Sequence, residues 1–266
     1  MKYLLSCWDV VATRVKEAKH TLLLIDYDGT LTPIVERPEL ANLSPEARAC
    51  LQKLARNPHL TLGIISGRTM KDLRERVGIN GIIYAGNHGL EVRGPNINFV
   101  HPSAKETEPS LYSSCQDIRK AITNIKGARI DNKGLTLSLH YRLVDESQVE
   151  ELTKIFYRVT APLSTSGKVR ITEGKKVYEV RPAVDWDKGK AIEFMAQKLG
   201  RKNKPLVIFL GDDVTDYDGF RMVNDKGGIS IYVGEETTES GAQYFLHSPR
   251  EVYQFLKMLE NAFSSQ

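Results

Sequence analysis

The stretch Leu22-Leu23-Leu24-Ile25-Asp26-Tyr27-Asp28-Gly29-Thr30-Leu31 is an apolar run that reads as a β-strand and ends in two carboxylates two positions apart. Side chains at i and i+2 of an extended chain point the same way, so Asp26 and Asp28 can leave the strand end toward one spot. One carboxylate of such a pair can attack phosphorus while the other moves the proton, with a divalent cation offsetting their mutual repulsion. Taken alone, Asp-Tyr-Asp-Gly fits a buried strand followed by an Asp-Gly turn nearly as well. Three further segments weigh on the choice.

Working outward, Ser44-Pro45-Glu46 opens a helix as an N-cap followed by proline at the first helical position. Leu60 to Ile65 is a second buried strand, ending at Ser66-Gly67-Arg68, and Thr69 caps a helix that runs through Val77. Gly81 to Ala85 is a third strand, ending in Gly86-Asn87-His88-Gly89. Strands alternating with helices, each strand closing on polar residues, predict an α/β fold with a parallel sheet whose ligand site lies along that edge. The pattern changes between about Gly94 and Pro182. Pro95, Pro102 and Pro109 punctuate a polar connection, Leu111 to Ile125 and Glu146 to Val159 read as helices, and Thr136 to Arg142 alternates as a strand. Lys168 to Thr172 and Lys175 to Arg181 resemble a hairpin closed through Glu173-Gly174. Residues 95–182 are therefore expected to form an inserted α+β module, with 1–94 and 183–266 as the main domain. There the first pattern resumes: helix from Lys188 to Leu199, strand from Pro205 to Leu210, helix from Thr215 to Val223, strand from Gly228 to Val233, closing helix from Pro249 to Phe263.

The 266 residues, 41% apolar and 26% charged, suit an ordinary globular protein. A formal charge of +4 favours small anions, and without dense basic tracts interleaved with aromatics it gives no case for nucleic acid. Cys7, Cys50 and Cys115 are too scattered for a disulfide framework or a zinc site. Met1 to His20 reads as an amphipathic helix without the apolar core of a signal peptide, so the expected location is cytoplasmic, with no membrane segment.

Phosphoryl transfer needs an in-line nucleophile and cations around the transferring oxygens. Asp26 is the candidate nucleophile and Asp28 the candidate acid and base. Ser66 can donate a hydroxyl to a phosphate oxygen, although helix capping alone also explains a Ser or Thr there. Lys188, at a helix start, can place a charge beside both phosphate and Asp26. Gly211-Asp212-Asp213-Val214-Thr215-Asp216 puts three carboxylates after an apolar strand, which is costly without a cation. Asp26, Asp212 and the backbone carbonyl of Asp28 would satisfy Mg²⁺, with Asp213 and Asp216 orienting waters or Lys188 behind them.

With these four segments in order, the chain resembles the haloacid dehalogenase superfamily, which implies a Rossmann-like core with a parallel sheet and an inserted cap (lid) domain. Asp26-Tyr-Asp28-Gly-Thr matches the first signature, Ser66 the second, Lys188 the third and Gly211-Asp212-Asp213 the fourth. Longer stretches, among them Gly86-Asn-His-Gly-Leu-Glu91, His140-Tyr-Arg142 and Gly174-Lys-Lys-Val-Tyr-Glu179-Val-Arg-Pro182, are similar to the trehalose-6-phosphate phosphatase family. That resemblance implies Mg²⁺-dependent hydrolysis of a phosphorylated disaccharide. It also implies sugar or phosphate contacts from Gly67, Arg68, Asn87 and His88 and from Lys133, Arg142, Lys175 and Glu179 of the cap. Two departures stand out: Tyr217 where the family usually has glutamate, and Asp131 where a glutamate is common before Lys133. Alternatives in keeping with the residues are a phosphatase of another glycosyl phosphate, such as a sucrose or glucosylglycerol phosphate, and a silent sugar-phosphate sensor. No feature of the sequence specifies a trehalose-phosphate synthase partner.

Overall fold

The computed structural model describes residues 1–174, 176–200 and 204–264. In chain order its elements begin with β1 (Lys2–Tyr3), α1 (Trp8–Glu17), β2 (Thr21–Asp26), α2 (Pro45–Leu54), β3 (Leu60–Ile65), α3 (Met70–Val77), β4 (Ile83–Gly86), β5 (Glu91–Gly94) and β6 (Ile97–Val100). Next come α4 (Pro102–Ala121), β7 (Arg129–Asn132), β8 (Leu137–His140), α5 (Glu146–Thr165), β9 (Val169–Gly174) and β10 (Val177–Pro182). The chain closes with α6 (Lys188–Leu199), β11 (Leu206–Gly211), α7 (Tyr217–Asp225), β12 (Ile229–Val233), β13 (Tyr244–Leu246) and α8 (Pro249–Ser264). These form two compact units, Met1–Phe99 with Trp186–Gln266, and Val100–Asp185.

The first unit is an α/β domain around a nine-stranded sheet of order β1-β13-β12-β11-β2-β3-β4-β5-β6. From β1 to β4 the neighbouring strands are parallel, and β5 runs antiparallel to β4. β2 is buried along its whole length. Its side chains alternate, Leu23 and Ile25 joining the layer built from α1, α2, α3 and α8, and Leu22 and Leu24 joining the α6 and α7 layer. Burial on both faces explains why the sequence there is a continuous apolar run rather than an alternation. From β2 the chain steps through β3 and β4 on one side, and later through β11, β12 and β13 on the other. The β2/β11 junction is therefore the point where strand order reverses, which in open α/β sheets is where ligands bind beyond the strand ends.

The N-caps follow the sequence: Ser44 accepts from the Ala47 amide at 3.1 Å and Thr69 from the Asp72 amide at 3.1 Å. The polar connection expected after Gly94 instead continues the core sheet as β5 and β6. The compact units part at 99/100 and 185/186 rather than at 94/95 and 182/183. Val92 and Ile97 are buried in the core, and Asn96, with φ +62°, takes the left-handed turn that asparagine tolerates, so two short strands fit around Pro95 where a loop was expected.

The second unit carries a four-stranded sheet of order β7-β8-β10-β9, antiparallel throughout, and the helices α4 and α5. Its core joins Leu111, Cys115 and Ile118 of α4 to Leu152 and Phe156 of α5 and to Leu137, Leu139, Tyr178 and Val180 of the strands. α4 begins at Pro102, earlier than the expected Leu111, because proline at the first helical position needs no hydrogen-bonded amide, and Pro109 is carried inside the helix. α5 likewise runs past Val159 to Thr165. No helix among the described residues is long and apolar enough to cross a membrane.

Candidate active site

Asp26 is the last residue of β2, and Ile25 pairs with Leu210 of β11 while Asp26 pairs with Ile65 of β3. That register sets the two loops Ser66-Gly67-Arg68 and Gly211-Asp212-Asp213 on either side of the Asp26 carboxylate. Asp26 is 5% exposed. Asp187 caps α6 by accepting from the Lys190 amide at 2.8 Å, and this fixes Lys188 at the first turn, 3% exposed. The Lys188 ammonium donates to Asp26 Oδ1 at 2.7 Å and to Asp216 Oδ1 at 2.5 Å. Asp216 Oδ2 accepts from the backbone amides of Asp212 and Asp213, at 3.2 and 3.0 Å. Asp216 is thus placed against Lys188. Asp213 is exposed and caps the Val214 amide at 2.7 Å.

One carboxylate oxygen from each of Asp26, Asp212 and Asp216 lies within 4.8 Å of the others. Asp216 already has partners on both oxygens, so Asp26 and Asp212 are the groups suited to a hard cation, which takes oxygen ligands and retains waters. The surroundings support that fit. Burial pushes Asp26 well above the usual carboxylate range; Lys188 offsets part of this, and Asp216 and Asp212 add to it. Burial, reinforced by Asp216, pushes Asp212 up to about 7. Such a site carries negative charge that the fold itself does not neutralise, and a divalent cation would neutralise it.

Gly29 makes this approach possible. Its φ is +83°, and a Cβ there would lie 2.0 Å from Asp212 Oδ2. Thr30 then donates to Asp212 Oδ1 at 3.0 Å. We expect Gly29→Ala to strain the turn, push Asp212 aside and cut activity at this site by at least about tenfold, corresponding to about 1.4 kcal/mol or more. Full activity in a folded Gly29→Ala protein, with folding checked by circular dichroism, would contradict this role.

The carboxylates of Asp26 and Asp28 take different partners. The strand stops at Asp26 and a turn follows, in which the Leu31 and Thr32 amides return to the Tyr27 carbonyl. Asp28 meets Arg68, whose Nε and Nη2 hold its two oxygens at 2.7 and 2.6 Å. Arg68, expected from the resemblance to touch substrate, is 9% exposed and bonded to Asp28 and Asp72. The Ser66 hydroxyl accepts from the Arg68 amide at 3.2 Å, which leaves its proton for donation. Asn87 and His88 follow β4 in the left-handed region, at φ +49° and +57°. Their amides return to the Arg68 and Ser66 carbonyls at 2.8 and 2.9 Å, stitching the two strand-end loops together. Gly67 is required beneath His88, since a Cβ there would lie 2.6 Å from His88 Nε2.

In the second unit, Glu179 of β10 accepts from Lys133 at 3.4 Å and pairs with Arg181 at 3.8 Å. Arg142 is exposed in the turn after β8 rather than on the strand expected through it. Asp131 is engaged by Arg129 at 2.8 Å and His140 at 3.1 Å. Lys175 lies outside the described residues. Sequence reasoning passed over Thr30, Asp72 and Arg76. The i,i+4 pair of opposite charges Asp72 and Arg76 on the expected helix was the signal available for the last two.

The trehalose-phosphatase family model matches residues 24–250. The chain is 36% identical to a probable trehalose-phosphate phosphatase D of Arabidopsis thaliana, over 91% of this chain and 68% of that protein. It is 35% identical to trehalose 6-phosphate phosphatase RA3 of Zea mays, over 92% and 71%. The C-terminal domain of the C. albicans trehalose-6-phosphate phosphatase superposes with a TM-score of 0.78 at 26% identity, covering 95% of this chain and 96% of that one. A haloacid dehalogenase-like hydrolase from Bacteroides thetaiotaomicron, 16% identical, shares the fold with a TM-score of 0.60 over 91% and 100%. The relatives define the class as phosphoric monoester hydrolase, on an α/β fold shared with that dehalogenase-like hydrolase. The chain belongs to the trehalose-phosphatase family.

Proposed function

We propose that the protein hydrolyses trehalose 6-phosphate to trehalose and phosphate, with Mg²⁺, through an aspartyl-phosphate at Asp26. The observation that carries this reading is the Asp26 carboxylate at the strand-order reversal, bonded to Lys188 and beside Asp212, in a chain of this family. An Asp26 oxygen attacks phosphorus while the bond from phosphorus to the sugar oxygen breaks. Asp28 gives its proton to that departing oxygen, then takes one from the water that cleaves the acyl phosphate. Lys188 holds Asp26 in line and, with the Ser66 hydroxyl, faces the oxygens of the transferring group. Asp26, Asp212 and the Asp28 carbonyl would hold Mg²⁺, which would supply positive charge for the transferring oxygens.

The sugar requires paired hydroxyl partners, and the family resemblance assigns that role to Lys133, Arg142, Lys175 and Glu179. Asn87 and His88 offer polar groups from the core. A site that hydrogen-bonds hydroxyls rejects analogues that leave its polar groups unpaired. Phosphate release measured over trehalose, sucrose, glucosylglycerol and glucose phosphates, with and without Mg²⁺, tests this. Trehalose 6-phosphate should exceed the others by about two orders of magnitude in kcat/KM, with turnover lost on chelation. Comparable turnover on all, or full activity without a divalent ion, contradicts the proposal.

A further inference from the structure

Both oxygens of Asp28 are held by a single guanidinium, through Arg68 Nε and Nη2. That guanidinium is itself fixed from behind. Its Nη1 donates to Asp72 Oδ2 at 2.6 Å, and Asp72 Oδ1 accepts from Arg76 Nε at 2.8 Å. Arg76 Nη1 then donates to the carbonyls of Glu39 and Ala41, at 3.1 and 3.2 Å. The Ala41 carbonyl also accepts from the Tyr27 hydroxyl at 2.9 Å, and the Arg68 guanidinium carbon sits 5.3 Å from the Tyr27 ring centroid. The chain of contacts is thus anchored in backbone at its far end and to the residue before Asp28 at its near end. Arg68 is 9% exposed, whereas the Asp28 side chain at its tip is 43% exposed.

We propose that Arg68, braced by Asp72 and Arg76, is the positioning residue that aims the Asp28 carboxyl at the departing oxygen, rather than a ligand of the substrate. The inference rests on the reading of Asp28 as the proton donor. A planar fork gripping both oxygens fixes the carboxylate's plane as well as its position, which an ammonium cannot do. A carboxylate offers about four acceptor positions, and the fork uses one on each oxygen, leaving one on each for the proton it exchanges. Misaimed by one ångström, an acid-base group forfeits much of its contribution.

The discriminating property is the leaving group. When the phosphorus-oxygen bond of a sugar phosphate breaks, the alkoxide needs the Asp28 proton; p-nitrophenolate leaves without one. kcat/KM for trehalose 6-phosphate and for p-nitrophenyl phosphate is measured at saturating Mg²⁺ for the native protein, Arg68→Lys, Asp72→Asn and Asp28→Asn, together with inhibition by inorganic phosphate. Arg68→Lys should lose about 10²-fold on the sugar phosphate and less than about tenfold on the aryl phosphate, close to what proton transfer contributes. Inhibition by phosphate should be unchanged. Asp72→Asn, which leaves Arg68 in place, should show the same selective loss to a smaller degree, so the inference does not depend on one variant folding. Equal losses on both substrates for Arg68→Lys, or phosphate inhibition weakened in parallel, would make Arg68 a substrate ligand or a purely structural residue and overturn the inference. Equal losses for Asp28→Asn would instead overturn the proton-donor reading, and the inference with it.

Discussion

Asp26→Asn abolishes turnover, lowering kcat by about three orders of magnitude or more, because removing a covalent nucleophile forfeits the whole two-step path rather than one contact in it. The variant keeps its fold. Burial pushes the Asp26 carboxyl well above its ordinary range, so the folded protein is already poor at accommodating this charge, and a neutral amide of the same shape relieves it. Melting temperature should therefore hold or rise while activity disappears. Retained activity would remove Asp26 from its role. Loss of activity together with loss of fold would mean that the carboxylate is chiefly structural.

Lys188→Met has the opposite signature, a large loss of both stability and activity. Burial works against the Lys188 ammonium, but Asp216 and Asp26 more than offset it and hold the lysine charged above its usual range. Without it, Asp26 at 5% exposure and the fully buried Asp216 face each other uncompensated. Breaking a buried pair in this way costs about 3–5 kcal/mol, a large part of the roughly 5–15 kcal/mol that holds a domain together. The loss depends on pH. A carboxyl whose folded pKa is raised contributes stability below its unfolded value, near about 4, that is lost as pH rises through the folded pKa. Asp26 and Asp212 both have raised values, and Asp212 reaches about 7. The metal-free variant should therefore melt progressively lower between about pH 4 and pH 8. Asp216→Asn added to Lys188→Met should recover part of the stability and none of the activity. Thermal melts of the two variants at several pH values check this, and a melting temperature that climbs with pH would contradict it.

The residues that could be read from sequence are those at strand ends. Asp26, Ser66 and Asp212 each follow an apolar run, and parallel strands deliver their C-terminal ends to one edge, so convergence follows from topology. Lys188 was legible as the first residue of a helix, and only together with the other three segments. The destination of Arg68 was not. Two residues past a strand end, its side chain could face a ligand or fold back, and the outcome depends on Asp28 leaving the strand line at a turn and on Asp72 one helical turn away. The strands β1, β5, β6, β7 and β13 were missed because two to four residues carry too little periodicity to stand out from their surroundings. Arg142 escaped its expected strand because β8 ends at His140 and the chain turns immediately.

The central claim is that the phosphoryl group passes through the Asp26 carboxylate. Borohydride reduction of the protein quenched during turnover of trehalose 6-phosphate with Mg²⁺ converts an aspartyl phosphate into homoserine, which peptide mass spectrometry locates. Homoserine at position 26, present only with substrate and missing from Asp26→Asn, is the expected result. Reduction at another carboxylate, or phosphate retained on Ser66 with Asp26 intact, would contradict it.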